Sequence, residues 1–384
     1  MAGPEPTDGA DLPEGPPVVD LHGTLFVDLV MADLPGLPRA GEEVRTTSMA
    51  WAPGGVATMA LGLARLGARP RIGCDVGDDE PGQQALSILV EEGVDVTGVR
   101  VHPGWTTPLT VSLAHDGDRR MITYERPAPV TADRGGPPLG PDGQGRAPAA
   151  VLVDLDPRAD PDACAQWPAG PLGGPGAEGG APLVLGDLGW DDTGAWNLAD
   201  LPLLERCDVI TPNAVEAVAL TGAAGVEEAA ARLAERVATV VVTDGPRGVW
   251  AVDPEHPRGF RVPAVPAPRV LDATGAGDAL DAALLWSLAQ GWPLRRGLDL
   301  ACLCASLAVG CLTGSLATPG WYEIARWWRR TGSADPGLSH RFAFLADELA
   351  AHPARPARRP GPRLTTAPTA ANTSDRSHDE ENQR

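Results

Sequence analysis

Ten residues, Leu271-Asp272-Ala273-Thr274-Gly275-Ala276-Gly277-Asp278-Ala279-Leu280, constrain this chain more than any other stretch. An extended lead runs into a glycine turn, and the turn opens a helix with an aspartate at its mouth. Gly275 and Gly277 lack Cβ atoms, so the backbone can turn sharply there and approach a ligand closely. The first N–H groups of a helix have no intrahelical partner, and with the helix dipole they form an anion site. A carboxylate beside such a site can take a proton from an attacking hydroxyl. Leu280, Leu284, Trp286 and Leu288 continue as an apolar stripe, and Gly291 and Pro293 supply a stop. Read alone, the run is equally a capped helix with a plain turn before it.

Composition narrows the chemistry. The 384 residues carry a net charge of -20 and are 43% hydrophobic, enough for one large α/β domain with appendages or for two domains, and poorly suited to a nucleic-acid partner. The 31 basic residues are all Arg. A chain without lysine has no Walker A lysine, no strand lysine of the protein-kinase type and no Schiff-base lysine. Six cysteines without a C-x-x-C pair argue against a zinc site or disulfide framework. The start, Met1-Ala2-Gly3-Pro4-Glu5, lacks the basic and apolar regions of a signal peptide, and no run of about 18 apolar residues occurs. A reducing cytoplasm is the expected setting.

Patterning predicts a disordered tail over 1–16 and one domain over 17–330. Strand character covers 18–30 with a turn at His22-Gly23, and helices are expected over 54–66 and 81–92. Alternation over 109–113 and 120–124 predicts two strands joined by a hairpin at 115–118. Residues 131–149 and 157–181 are Gly- and Pro-dense and read as disordered insertions around a buried strand at 150–154. From 183 strands alternate with helices, the pattern of a mostly parallel sheet covered on both faces. A small-residue helix is expected over 301–312, and 331–384 reads as a mostly flexible extension with one amphipathic helix at 342–349.

Four further groups carry polar chemistry in suggestive places. Asn213 and Glu216 lie one turn apart at a helix start, so they share a face. A carboxylate beside a polyphosphate needs a cation between them, which suggests Mg²⁺ held through Glu216 and water; an ordinary acidic helix start is the alternative. Thr243, Gly245 and Gly248 follow an apolar strand, at the end where open α/β sheets bind ligands, or form a plain turn. Gly54-Gly55 permits close approach of a hydroxylated ligand, or simply turns the chain. Asp28 interrupts an apolar strand, which is expensive unless the charge is paired, so it is either a ligand contact or an exposed edge residue.

These groups, in this order, resemble the PfkB family of ribokinase-like carbohydrate kinases over about residues 18–330. The 272–280 run is similar to the family pattern D-T-x-G-A-G-D-x-F, departing at Ala273 and Leu280, with Ala283 in place of a Gly. Leu63-Ala64-Arg65-Leu66-Gly67 matches the family text after its double glycine, but the expected Asn is missing and Thr58 falls nearest to it, one residue short. The resemblance implies a three-layer sandwich with a central, mostly parallel sheet and a small β lid from about 24–50 and 104–126. It implies Asp278 as catalytic base and Gly275, Ala276 and Gly277 amides as the phosphate site. It implies ATP lined by Asn213, Glu216, Thr243, Gly245 and Gly248, with Mg²⁺ near Glu216. The acceptor, a sugar or nucleoside, would be held by Asp28, Gly54, Gly55 and Thr58. Asp272 and Thr274 match positions that hold a monovalent cation such as K⁺ in ribokinases. Lids of this family can pair, so a homodimer is an expectation. The competing readings are a catalytically weak or inactive binding protein on the same fold, suggested by the missing Asn, and a dinucleotide oxidoreductase. The second fits poorly, because Leu280 stands where that fingerprint wants Gly or Ala.

Overall fold

The computed structural model describes residues 15–115, 118–129, 147–156, 181–191, 193–332 and 334–358. The expectations for 1–14, for most of the two Gly/Pro-rich insertions, for the hairpin tip 116–117 and for 359–384 lie outside the described residues.

In chain order the strands and helices are β1 Val18–His22, β2 Leu25–Ala32, β3 Ser48–Gly55, α1 Val56–Arg65, β4 Arg69–Gly73, β5 Asp75–Gly77, α2 Glu80–Glu92, β6 Arg100–His102, β7 Leu109–His115, β8 Asp118–Tyr124, β9 Ala150–Leu155 and β10 Leu183–Leu188. They continue as β11 Val209–Ile210, α3 Ala214–Thr221, α4 Val226–Leu233, β12 Thr239–Thr243, β13 Val249–Val252, β14 Phe260–Val262, α5 Ala276–Ala289, α6 Leu294–Ala308, α7 Gly314–Ala317, α8 Trp321–Trp327, α9 Pro336–Arg341 and α10 Leu345–Ala351.

The main sheet runs β14-β13-β12-β11-β10-β9-β1-β4. Strands β4 to β12 of that order pair in parallel, and β13 and β14 add an antiparallel edge. Apolar runs such as Ala150-Val151-Leu152-Val153 in β9 are buried on both faces, as a sheet between two helical layers requires. Alternation splits them between two cores. Ala150 and Leu152 pack with the α1, α5 and α6 side, and Val151 and Val153 pack with the α3 and α4 side. The chain leaves β1 toward β4 on one side and later returns to β9 on the other. That change of direction opens a crevice at the carboxyl ends of the strands.

A second sheet, β3-β2-β7-β8, forms the lid. Its β2–β7 pair is parallel and the outer pairs are antiparallel. The three-layer sandwich and lid agree with the sequence reading.

Several boundaries differ, each for a tertiary reason. Gly54 and Gly55 belong to β3 rather than to the helix, which starts at Val56. Gly54 pairs with Phe26 and Gly55 with Leu25 across the lid, and that pairing outweighs helix propensity. Helix α6 spans 294–308, not 301–312. It starts directly after Pro293, and the chain leaves it where the Val309 carbonyl accepts the Leu271 N–H at 2.8 Å. The helix expected at 342–349 forms over Leu345–Ala351, and a further short helix over Pro336–Arg341 precedes it. Asp335 caps the earlier one by accepting the Leu338 N–H at 3.0 Å, and Phe342 breaks the run by turning into the core with no exposed surface. Arg341 and Arg296 then fasten the segment through Asp299 and Glu348, both at 2.5 Å. Phe342 and these two ion pairs join the segment around 341–348 to α6 and the core.

Candidate active site

The site forms where the start of α5 meets the carboxyl ends of β9 and β10 under the lid. Gly275 is the N-cap of α5 with φ +77, a conformation that favours glycine, and no side chain caps the helix. The turn also needs glycine for space: a Cβ on Gly275 would fall 2.4 Å from the Gly314 Cα. Nothing crowds Gly277, whose missing Cβ faces open space. The Ala276 N–H donates back to the Ala273 carbonyl at 3.3 Å. Of the three amides expected to receive phosphate, Gly275 and Gly277 are thus the better placed.

Asp278 stands in the first turn of α5 but does not cap it from outside. Its half-buried carboxylate accepts the Thr58 hydroxyl from α1. Desolvation raises its pKa above the ordinary carboxylate range, opposed by the Arg119 charge and the Thr58 hydrogen bond. Thr58 is itself 1% exposed, and its hydroxyl lies against the candidate base.

The lid reaches this turn through two side chains. Arg119 on β8 donates to the Ala273 carbonyl at 2.7 Å, and Ser112 on β7 lies 3.4 Å from the Thr274 hydroxyl. Asp28 on β2 is 9% exposed, and its carboxylate packs on bare Gly54, where a Cβ would sit 2.0 Å from Oδ2. Burial, with the Asp278 and Asp272 charges, raises its pKa to about 7. At the hinge, the Asp154 carboxylate at the end of β9 accepts the Thr24 N–H at 2.8 Å, and burial raises its pKa to about 7. Gly55, at φ +59, leaves room for the Thr24 carbonyl, which a Cβ there would approach to 2.3 Å.

Asn213 and Glu216 form a complete capping box at the start of α3. Asn213 Oδ1 accepts the Val215 and Glu216 N–H groups at 2.9 and 3.1 Å, while Glu216 accepts the Asn213 N–H at 2.8 Å and its side-chain amide. Burial nevertheless raises the Glu216 pKa to about 7. Thr243 lies beside Asn213 through a parallel bridge, which brings these two groups together. The 244–248 turn is held by Asp244, whose carboxylate accepts Arg247 Nε at 2.7 Å and Arg261 Nη1 at 3.2 Å. Asp272 accepts the Thr274 and Thr313 N–H groups at 2.8 and 3.2 Å, so it clamps the glycine turn to the loop before α7.

Sequence reading missed three acids of this region. Asp281 is one turn beyond Asp278, buried at 2% exposure, near Thr211 and Asp187. Burial with the surrounding charges holds both Asp187 and Asp281 well above the usual carboxylate range. A charge inside an apolar helix, and the acids closing the apolar strands β9 and β10, were signals that could have found Asp281, Asp154 and Asp187. Among the described residues no three His, Cys, Asp or Glu side chains form a ready-made metal cage. No described helix is long and apolar enough to cross a membrane.

Residues 22–133 and 190–319 match the profile described as pfkB family carbohydrate kinase. The chain belongs to that family. The pfkB match covers both the lid and the candidate base. Similar curated proteins include a bifunctional protein HldE from Magnetococcus marinus, 29% identical over 71% of this chain and 59% of its own length, and an Escherichia coli fructokinase, 29% identical over 71% and 90%. The chain thus spans little more than half of the HldE relative. An Arabidopsis thaliana ribokinase solved with ribose and ATP superposes with a TM-score of 0.62, covering 81% of this chain and 98% of that one at 22% identity. That likeness establishes a ribokinase-like fold.

Proposed function

We propose that this pfkB-family protein transfers the γ-phosphoryl group of ATP to a hydroxyl of a sugar or sugar-like molecule. The observation that carries the reading is the start of α5: an uncapped glycine turn beside a half-buried carboxylate that Thr58 orients under the lid. Asp278 takes the hydroxyl proton as the acceptor oxygen forms its bond to phosphorus, and the bond from phosphorus to the β,γ-bridging oxygen breaks to release ADP. Gly275 and Gly277 amides, with Ala276, hold the phosphoryl oxygens at the positive end of the helix. Thr243, Gly245, Gly248 and Asn213 line the nucleotide. Asp28, Gly54 and Gly55 hold the acceptor. Arg119 and Ser112 bring the lid down onto the turn, which excludes water that would otherwise accept the phosphoryl group.

Mg²⁺ fits the donor set, because buried carboxylates are hard oxygen ligands whose mutual repulsion a divalent cation relieves. Glu216 would hold it through water, with nucleotide phosphates completing the shell, and the ion would offset phosphate charge. A monovalent cation at Asp272 and Thr274 would share oxygens that already accept two backbone N–H groups, and titrating activity with K⁺ tests that role. The exposed apolar side chains Met49, Met121, Ile122 and Tyr124 on the lid suit pairing with a second copy.

ATP consumption across a panel of sugars and nucleosides, with the phosphate position read from each product, tests the whole reading. ADP release that depends on an alcohol supports it. Clear acceptor binding without ATP turnover would leave a non-catalytic binding protein.

A further inference from the structure

The glycine turn of α5 does not stand alone: it rests on residues 313–318. Gly275 and Gly314 meet backbone to backbone, so a Cβ on Gly275 would fall 2.4 Å from the Gly314 Cα, and one on Gly314 would fall 2.7 Å from the Gly275 Cα. Asp272 ties the two segments by accepting the Thr313 N–H at 3.2 Å. Thr313 has φ +65, a left-handed conformation that strains a β-branched residue, so the segment must be held from outside. Helix α7 is a single turn and cannot satisfy all its carbonyls internally.

What holds the segment is Arg65, the last residue of α1. Its side chain is 5% exposed, and its Nη1 donates to the Ser315, Leu316 and Thr318 carbonyls at 3.4, 3.0 and 2.7 Å. Its Nε faces the buried Glu92 carboxylate of α2 at 3.3 Å. A guanidinium suits this place, because its flat fork and permanent charge can hold several oxygens at once, where an ammonium is a compact point charge.

Thr58, Gly62 and Arg65 fall at i, i+4 and i+7, on one face of α1. Thr58 lies against Asp278. Gly62 packs so closely that a Cβ would sit 2.7 Å from Thr318 Cγ2 and 2.8 Å from Ala282 Cβ of α5. One face of α1 therefore touches the candidate base, the body of α5 and the segment behind the glycine turn. Phosphoryl transfer needs base and amides at a fixed separation, since a displacement of about 1 Å can cost about 10²-fold in rate. Resting on the kinase reading above, we propose that Arg65 is a positioning residue for phosphoryl transfer. Through residues 314–318 it sets the Gly275 amide against Asp278, and Glu92 steadies its guanidinium.

Steady-state kinetics of the full-length protein, with MgATP and the fastest acceptor of the sugar and nucleoside panel, test this beside thermal melts. Arg65→Lys keeps the charge and the Glu92 pair but loses the fork. It is expected to stay folded at the assay temperature and to lower kcat roughly tenfold or more, with both KM values within about threefold of the parent. Arg341→Lys alters another ion pair, to Asp299 on α6, and is expected to keep the parent's kcat. If Arg65→Lys does not fold, Glu92→Gln decides instead. That change leaves the carbonyl contacts in place but loosens the guanidinium, and it should lower kcat about threefold or more with KM unchanged. Parent-like kcat in the deciding variant, a loss confined to KM, or an equal loss in Arg341→Lys overturns the proposal. A parent protein that phosphorylates no alcohol is a separate failure, which removes the kinase reading and this inference with it.

Discussion

Helices α3 and α5 begin alike in sequence and differently in space. Each follows a strand, and each has an acid at the third position of its first turn, Glu216 in one and Asp278 in the other. At α3 the acid turns back on the helix: Asn213 and Glu216 satisfy each other and the first amides in a closed capping box. At α5 the cap is glycine, no side chain closes the end, and Asp278 faces Thr58 and the cleft. An acidic helix start is therefore not a functional signal in itself. What matters is whether a neighbouring side chain leaves the amides and the carboxylate free for a ligand.

The largest effect that could break this contrast is at Asp278. Asp278→Asn should lower turnover by about 10²-fold or more while leaving ATP binding and thermal stability near those of the parent protein. Near-normal turnover would remove Asp278 as the base. Gly275→Ala should come next. At φ +77, with the Gly314 backbone 2.4 Å from the added carbon, it should cost more than about 1 kcal/mol and sharply reduce activity. Gly277→Ala, with open space around it, should keep the parent's melting temperature yet weaken MgATP use, a separation that thermal melts and KM measurements together would reveal.

A smaller effect sharpens the other side of the contrast. Asn213→Ala removes the cap of α3 and should cost about 1 kcal/mol in urea unfolding, even without nucleotide. A loss confined to nucleotide affinity would mean that the capping box is secondary to ligand binding. The smallest expected effect depends on pH. Asp28 has a folded pKa of about 7, raised above the 3.8 of an unperturbed carboxyl by burial and then by Asp278 and Asp272. A raised carboxyl stabilises the fold fully below the unfolded value, and that contribution fades as pH rises through the folded value. Asp28→Asn should therefore raise the melting temperature relative to the parent above pH 7 and lose that advantage near pH 4. An advantage independent of pH would mean that Asp28 is not the group titrating.

Much of this molecule is legible along the chain. Apolar runs bounded by turns gave most strands, Gly67 and Gly93 marked helix ends, and the 272–280 run located the helix mouth, because these signals come from neighbours in sequence. The pairing of Gly54-Gly55 into the lid, the break at Phe342 and the early end of α6 were not legible, since each is fixed by a partner far along the chain.

The same division holds at the site. The amino-acid order alone determined that a glycine turn would precede a helix with Asp278 in its first turn, and that no lysine could serve there. Only the folded chain decided that Thr58 would serve Asp278, that Arg119 would reach the turn from the lid, that Asp187 and Asp281 would be buried near each other, and that Asp28 would be buried against Gly54. Backbone preferences act over a few residues and can be read from them. Desolvation and charge coupling depend on which groups meet across space, and for Thr58 and Asp278 that meeting joins residues far apart in the chain.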